Sequence, residues 1–131
     1  MITLATLPEH TAQEVFDYIS RHLLTQGEKC QDFNDNMEPM CVYRNSDGQS
    51  CAAGCLIGPE EYESAFESND WNTLMNDDKV PSVHYGLISY MQKVHDNWNA
   101  SSWYEALQKT AAVYNFDTTN LDMYAKENNY R

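Results

Sequence analysis

The chain has 131 residues, with eight basic against twenty acidic side chains and a net charge of −12. A chain of that length reads as one domain, residues 1–131, that can bury roughly two-thirds of its unfolded surface. The apolar fraction of 42% excludes a disordered polyelectrolyte, and the acid excess argues against direct contact with nucleic acid or an anionic membrane.

Residues 1–10 read as an N-terminal strand or an extended arm, on the weak pattern Ile2, Leu4, Leu7. Their lack of a basic n-region and a long apolar run predicts no signal peptide, hence a cytoplasmic setting with reduced cysteines. Thr11-Ala-Gln-Glu14 has capping-box spacing, so a helix should start there. Val15, Phe16, Ile19 and Leu23 repeat at helical spacing to about Gln26, and Gly27 is the natural stop. Residues 28–40 are polar and read as a loop.

Val42-Tyr43-Arg44 has strand character, Asn45-Ser46-Asp47-Gly48 is turn chemistry, and Gln49-Ser50-Cys51 would return as the second strand of a hairpin. Cys51-Ala-Ala-Gly-Cys-Leu-Ile57 is apolar and uncharged, so it should be buried, with Gly54 admitting a close backbone. Pro59–Phe66 is expected as a short helix with Tyr62 and Phe66 inward, and Asp70-Trp71 should open another short helix reaching Met75. A longer helix capped by Ser82 follows, marked by Val83, Leu87, Met91, Val94 and Trp98. Ser102-Trp-Tyr-Glu105 is a second capping-box pattern, opening a helix with Trp103, Leu107, Ala111 and Tyr114 on one face. Asp117-Thr-Thr119 should cap a last helix carrying Leu121, Tyr124 and Ala125, and residues 126–131 are expected to fray. The fold class is therefore α+β, mainly helical, with one small antiparallel hairpin.

Cys30, Cys41, Cys51 and Cys55 lie close in sequence, and four thiolates can hold zinc tetrahedrally. Zinc ribbons, however, use two pairs of close cysteines on tight turns, whereas here there is one pair with Ala-Ala-Gly between. The plainer reading makes them small core residues, with no cofactor. A sharper alternative makes Cys51 a nucleophile, its thiolate stabilised at a helix start, with His95 or His84 as base. His95-Asp96 looks like the metal-binding pair of phosphohydrolases, but His10, His22 and His84 stand in no supporting pattern.

The charge is concentrated. Residues 28–78 hold twelve acids and two bases, and residues 59–78 hold seven acids and no base. Glu60, Glu61, Glu63, Glu67, Asp70, Asp77 and Asp78, with Trp71 among them, form a candidate partner-binding face. They lack the apolar neighbours that would tune an acid/base pair. Tyr85, Tyr90 and Tyr104 are expected to be partly exposed.

His22-Leu-Leu-Thr-Gln-Gly27, Cys41-Val-Tyr-Arg-Asn-Ser-Asp-Gly48 and Cys51-Ala-Ala-Gly-Cys-Leu-Ile-Gly-Pro-Glu-Glu-Tyr62 resemble segments of a group of short tailed-phage proteins. The likeness extends to Gln92–Asp96 and the Trp103 helix. It implies a phage gene acting inside a bacterium, and no catalytic residues. The expected function is that of a small acidic accessory protein that binds and blocks a host or phage protein with a basic surface, DNA mimicry being a special case. The alternatives are a cysteine- or metal-dependent protein using Cys51, Cys55 and His95, and a sponge for a small nucleotide.

Overall fold

Thr11 starts the first helix as its spacing requires. Its side chain accepts from the Glu14 N–H at 3.2 Å, and the Glu14 carboxylate accepts from the Thr11 N–H at 2.9 Å. Helix α1 then runs Ala12–Gln26 and ends at Gly27, whose φ of 68° terminates it in the left-handed conformation. The computed structural model describes residues 1–130. Its other elements are strands β1 (Gln31–Phe33) and β2 (Pro39–Cys41), then helices α2 (Trp71–Asn76), α3 (Tyr85–Asn97), α4 (Trp103–Tyr114) and α5 (Thr119–Glu127). The mainly helical α+β class expected above is what is found.

Helix α1 is the central post. It packs on α3, α4 and α5, while α2 packs on α3 and α4 on α5. Phe16, Ile19, Leu23, Ile88, Met91, Trp103, Leu107 and Leu121 are fully buried in one contiguous cluster. Fully burying one such side chain stabilises by about 1.5–3 kcal/mol before chain entropy is charged, so this cluster holds the helices.

The sheet lies upstream of its expected place. Residues 28–40 are not a loop, because β1 and β2 pair antiparallel with Gln31 opposite Cys41 and Phe33 opposite Pro39. The expected pairing of 42–44 with 49–51 shrinks to a single bridge, Arg44 to Ser50. Asn45 explains the difference. Its Oδ1 accepts from the N–H groups of Asp47 and Gln49, which rounds the turn into a side-chain-closed loop. The chain then dives under Tyr43, where a Cβ on Gly54 would overlap the Tyr43 carbonyl oxygen.

Other local expectations are corrected. Residues 1–10 form neither strand nor free arm. Ile2, Leu4 and Leu7 are buried, and Leu7–Glu9 make one 3-10 turn. Residues 59–66 form no α-helix, because Glu61 turns back to accept from the Gly58 N–H and Glu63 is extended, leaving a 3-10 turn at Ser64–Phe66. His84, not Ser82, takes the N-cap place of α3, at φ 61°. Ser102 makes no side-chain capping bond, and Tyr114 is exposed. The tail is tied down as far as Tyr130, whose N–H reaches the Ala125 carbonyl at 2.8 Å; Arg131 lies outside the described residues.

Candidate functional site

The C-terminal turn of α3, the start of β1 and the buried 51–57 segment meet at His95. This side chain is fully buried and stacks on Trp103, with ring centroids 5.4 Å apart. The Cys30 N–H donates to its Nε2 at 2.9 Å, so Nε2 carries a lone pair. The one proton of the neutral ring is therefore on Nδ1, which donates to Asp96 Oδ1 at 2.7 Å. Gln92 extends the chain: its Nε2 donates to Asp96 Oδ1 at 2.8 Å, and its Oε1 accepts from the Ala53 N–H at 2.9 Å. Three distant segments are thereby cross-linked, and both ring nitrogens of the buried His95 are satisfied.

Cys41 adds a third donor atom. Its Sγ, the His95 ring nitrogen and an Asp96 oxygen lie within 4.8 Å of one another. This trio has ligand-like proximity but the wrong proton inventory for a metal. A cation on Nδ1 would send the ring proton to Nε2, directly against the Cys30 N–H. The same argument removes His95 as a general base, since its free lone pair is already used in the core. Cys41 and Asp96 remain as two adjacent polar groups, with burial and then the Asp96 carboxylate raising the thiol.

The four cysteines do not assemble into a thiolate site among the described residues. Cys30 Sγ donates to the Gln49 carbonyl, Cys51 Sγ accepts from the Gly54 N–H and Cys55 Sγ donates to the Ala52 carbonyl. Burial pushes Cys30 up to about 12, and it raises the Cys51 and Cys55 thiols as well. The nucleophile reading of Cys51 is thus corrected: it is 1% exposed, held as a thiol, and precedes only a 3-10 turn. His84, its other proposed base, is bonded through Nε2 to the His10 carbonyl at 2.7 Å.

Above Cys41 and Asp96 opens a cleft of about 490 Å³ whose walls include Tyr43, Asn69, Trp71 and Lys93. Three acids line it, and each is engaged. Glu67 accepts from the Tyr43 N–H, the Arg44 N–H and the Tyr62 hydroxyl. Asp70 caps α2 through the Thr73 N–H, and Asp96 is held as above. All three carboxylates of the cleft are thus engaged in hydrogen bonds, with the Cys41 thiol beside Asp96.

The structure divides the eight candidate partner-binding residues in two. Glu61 is internal bracing: its carboxylate accepts from the N–H groups of Leu4, Ala5 and Gly58. Glu67 and Asp70 brace in the same manner. Trp71 is 2% exposed, which corrects its role as a surface anchor. Glu60, Glu63, Asp77 and Asp78 are exposed, and Asp70 is exposed beside its capping bond. Among the described residues the ion pair is Lys109–Glu105, and His10 and His95 contact Glu14 and Asp96, so no acid between 28 and 78 is neutralised by a basic side chain. Tyr85, Tyr90 and Tyr104 are all at least partly exposed as expected, and the half-buried Tyr104 donates to Asp122.

Sequence reasoning missed the surface on the β1–β2 hairpin. Phe33, Met37 and Met40 are 66%, 76% and 41% exposed there. The available signal was three large apolar residues stranded in a polar, acidic stretch. Comparison with protein-family models, with curated proteins and with solved structures finds no match. Among the described residues no helix is long and apolar enough to cross a membrane.

Proposed function

We propose that this chain is an acidic binding protein that docks on the basic surface of another protein and thereby blocks or modulates it. The observation that carries the reading is the acidic surface without ion-pair partners. Exposed carboxylates neutralised by an internal partner would contribute little field, whereas unneutralised ones add up and steer a basic partner into encounter. Glu60, Glu63, Asp77 and Asp78 are the exposed acids of that surface in the 59–78 segment, beside Asp70 with its capping bond. The resemblance to short tailed-phage proteins supports a partner in the bacterial cytoplasm. The reading that uses Cys51, Cys55 and His95 loses support, because burial keeps both thiols protonated and the His95 lone pair is spent on the Cys30 N–H.

The test is capture from bacterial lysate with the full chain and with the variant E60Q/E63Q/D77N/D78N, each at low and high salt. The expected result is a basic protein retained by the wild type at low salt, depleted by the variant and released by salt. Identical capture by both chains overturns the reading.

A further inference from the structure

We infer that the β1–β2 hairpin is a docking finger that inserts into an apolar, basic-rimmed groove on the partner protein. The inference rests on the basic-partner reading above and names the element that makes the contact.

Register places the apolar groups around the finger rather than on one side. Residues directly opposite in an antiparallel pair share a face, so Phe33 and Pro39 stand on one face and Met40 with Asp32 on the other. Met37 is at the tip. Isolated exposed apolar residues are ordinary on a protein surface, but three large ones on a single short hairpin are a concentration. Apolar groups on both faces and at the end fit a groove, because a flat surface would cover only one face.

The finger is also pre-shaped. Asn34 Oδ1 accepts from the N–H groups of Asn36 and Glu38, and the Asn34 N–H donates to the Glu38 carbonyl. Met37 is held at φ 62°, a conformation costly for a residue with a Cβ and usually left to Gly or Asn. A tip held in this way presents Met37 outward with little ordering left to lose on binding.

Charge selects the occupant. Asp35, Glu38 and Asp47 are exposed on and beside the finger. The two cations of the stretch are turned to the body: Lys29 Nζ donates to the Asp96 carbonyl, while the Arg44 guanidinium donates to the Ile57 carbonyl and lies over the Tyr62 ring. A second copy of a chain with net charge −12 would be repelled, and so would anionic lipid or nucleic acid. A protein groove rimmed by Lys or Arg is the complement.

The most enriched basic protein from low-salt capture is purified and titrated with four chains: wild type, F33S/M37S, D35N/E38Q and E60Q/E63Q/D77N/D78N. All these side chains are exposed, so a cooperative unfolding transition no less stable than that of the wild type confirms that each variant is folded. The expected result is a loss of affinity of roughly 30-fold or more for F33S/M37S, as for removal of two anchors. D35N/E38Q should lower the salt dependence while keeping most of the affinity at high salt. Wild-type affinity in F33S/M37S overturns the finger. If the four-acid variant alone then weakens binding, the basic-partner reading survives without it. Absence of any captured basic protein overturns both, and hairpin-dependent self-association overturns the finger as drawn.

Discussion

Gly54 and the buried thiols are the positions where a single atom decides. Any side chain at 54 would place its Cβ on the Tyr43 carbonyl oxygen, and backbone cannot step aside as a flexible side chain can. Gly54→Ala should therefore cost about 3 kcal/mol in urea unfolding, at the upper end of overpacking penalties; a loss below about 1 kcal/mol would show that the segment yields easily. This demand was legible from the small apolar run Cys51–Ile57. The His95 network was not, because its partner Cys30 lies 65 residues away and no local pattern encodes that meeting. Thiol burial sets a pH dependence whose sign is fixed. Cys30 ionises near 9.0 when unperturbed but only at about 12 in the fold, so above pH 9 the unfolded chain sheds its proton first. Its contribution is intact below about 9 and is lost as pH climbs toward 12. Cys51, Cys55 and Tyr43, all raised by burial, act with the same sign. Urea melts at rising pH should show stability falling above about pH 9, by about 1.4 kcal/mol per pH unit for each thiol in its window. A flat profile to pH 11 would mean that these thiols are solvated.

At the scale of elements, Glu61 is the clasp between the N-terminal turn and the 58–61 turn. One carboxylate satisfies three backbone N–H groups that otherwise lack a partner from the regular elements. Glu61→Ala should cost about 2 kcal/mol, since bonds to a charged acceptor are among the stronger ones, and it should open residues 1–8 to proteases. Glu60→Ala, one residue away and exposed, should stay within about 0.5 kcal/mol of wild type. Equal effects in the two variants would remove the clasp. Both residues look alike in the sequence, as neighbouring acids in an acidic run, because which carboxylate turns inward is settled by backbone that arrives from 57 residues away. The helices were more legible. The Thr11 capping box, the Gly27 stop and the Asp70 cap are local chemistry and appear where the pattern puts them. The hairpin was not, because Gln31-Asp-Phe33 and Pro39-Met-Cys41 contain no β-branched residue and their five-residue turn is closed by Asn34 rather than by glycine.

Over the whole molecule, charge is the property that survives translation from sequence to structure best. Net charge needs no contact map, and the fold leaves the acids of 28–78 without ion pairs among the described residues. The consequence is self-repulsion, which the folded state bears more than the expanded one. Neutralising exposed acids that hold no local bond should then stabilise rather than destabilise. E60Q/E63Q/D77N/D78N is expected to gain up to about 1 kcal/mol at low salt, a few tenths per exposed charge. The gain should vanish near 1 M salt, where the screening length falls to about 3 Å. The wild type should correspondingly become more stable with added salt until the two curves meet. Thermal unfolding of both chains across a salt series separates two cases. If the variant is less stable than wild type at low salt, those carboxylates hold the fold together. If it is more stable and also loses its basic partner, the surface carries a cost to stability in exchange for binding, as expected of a face kept for docking.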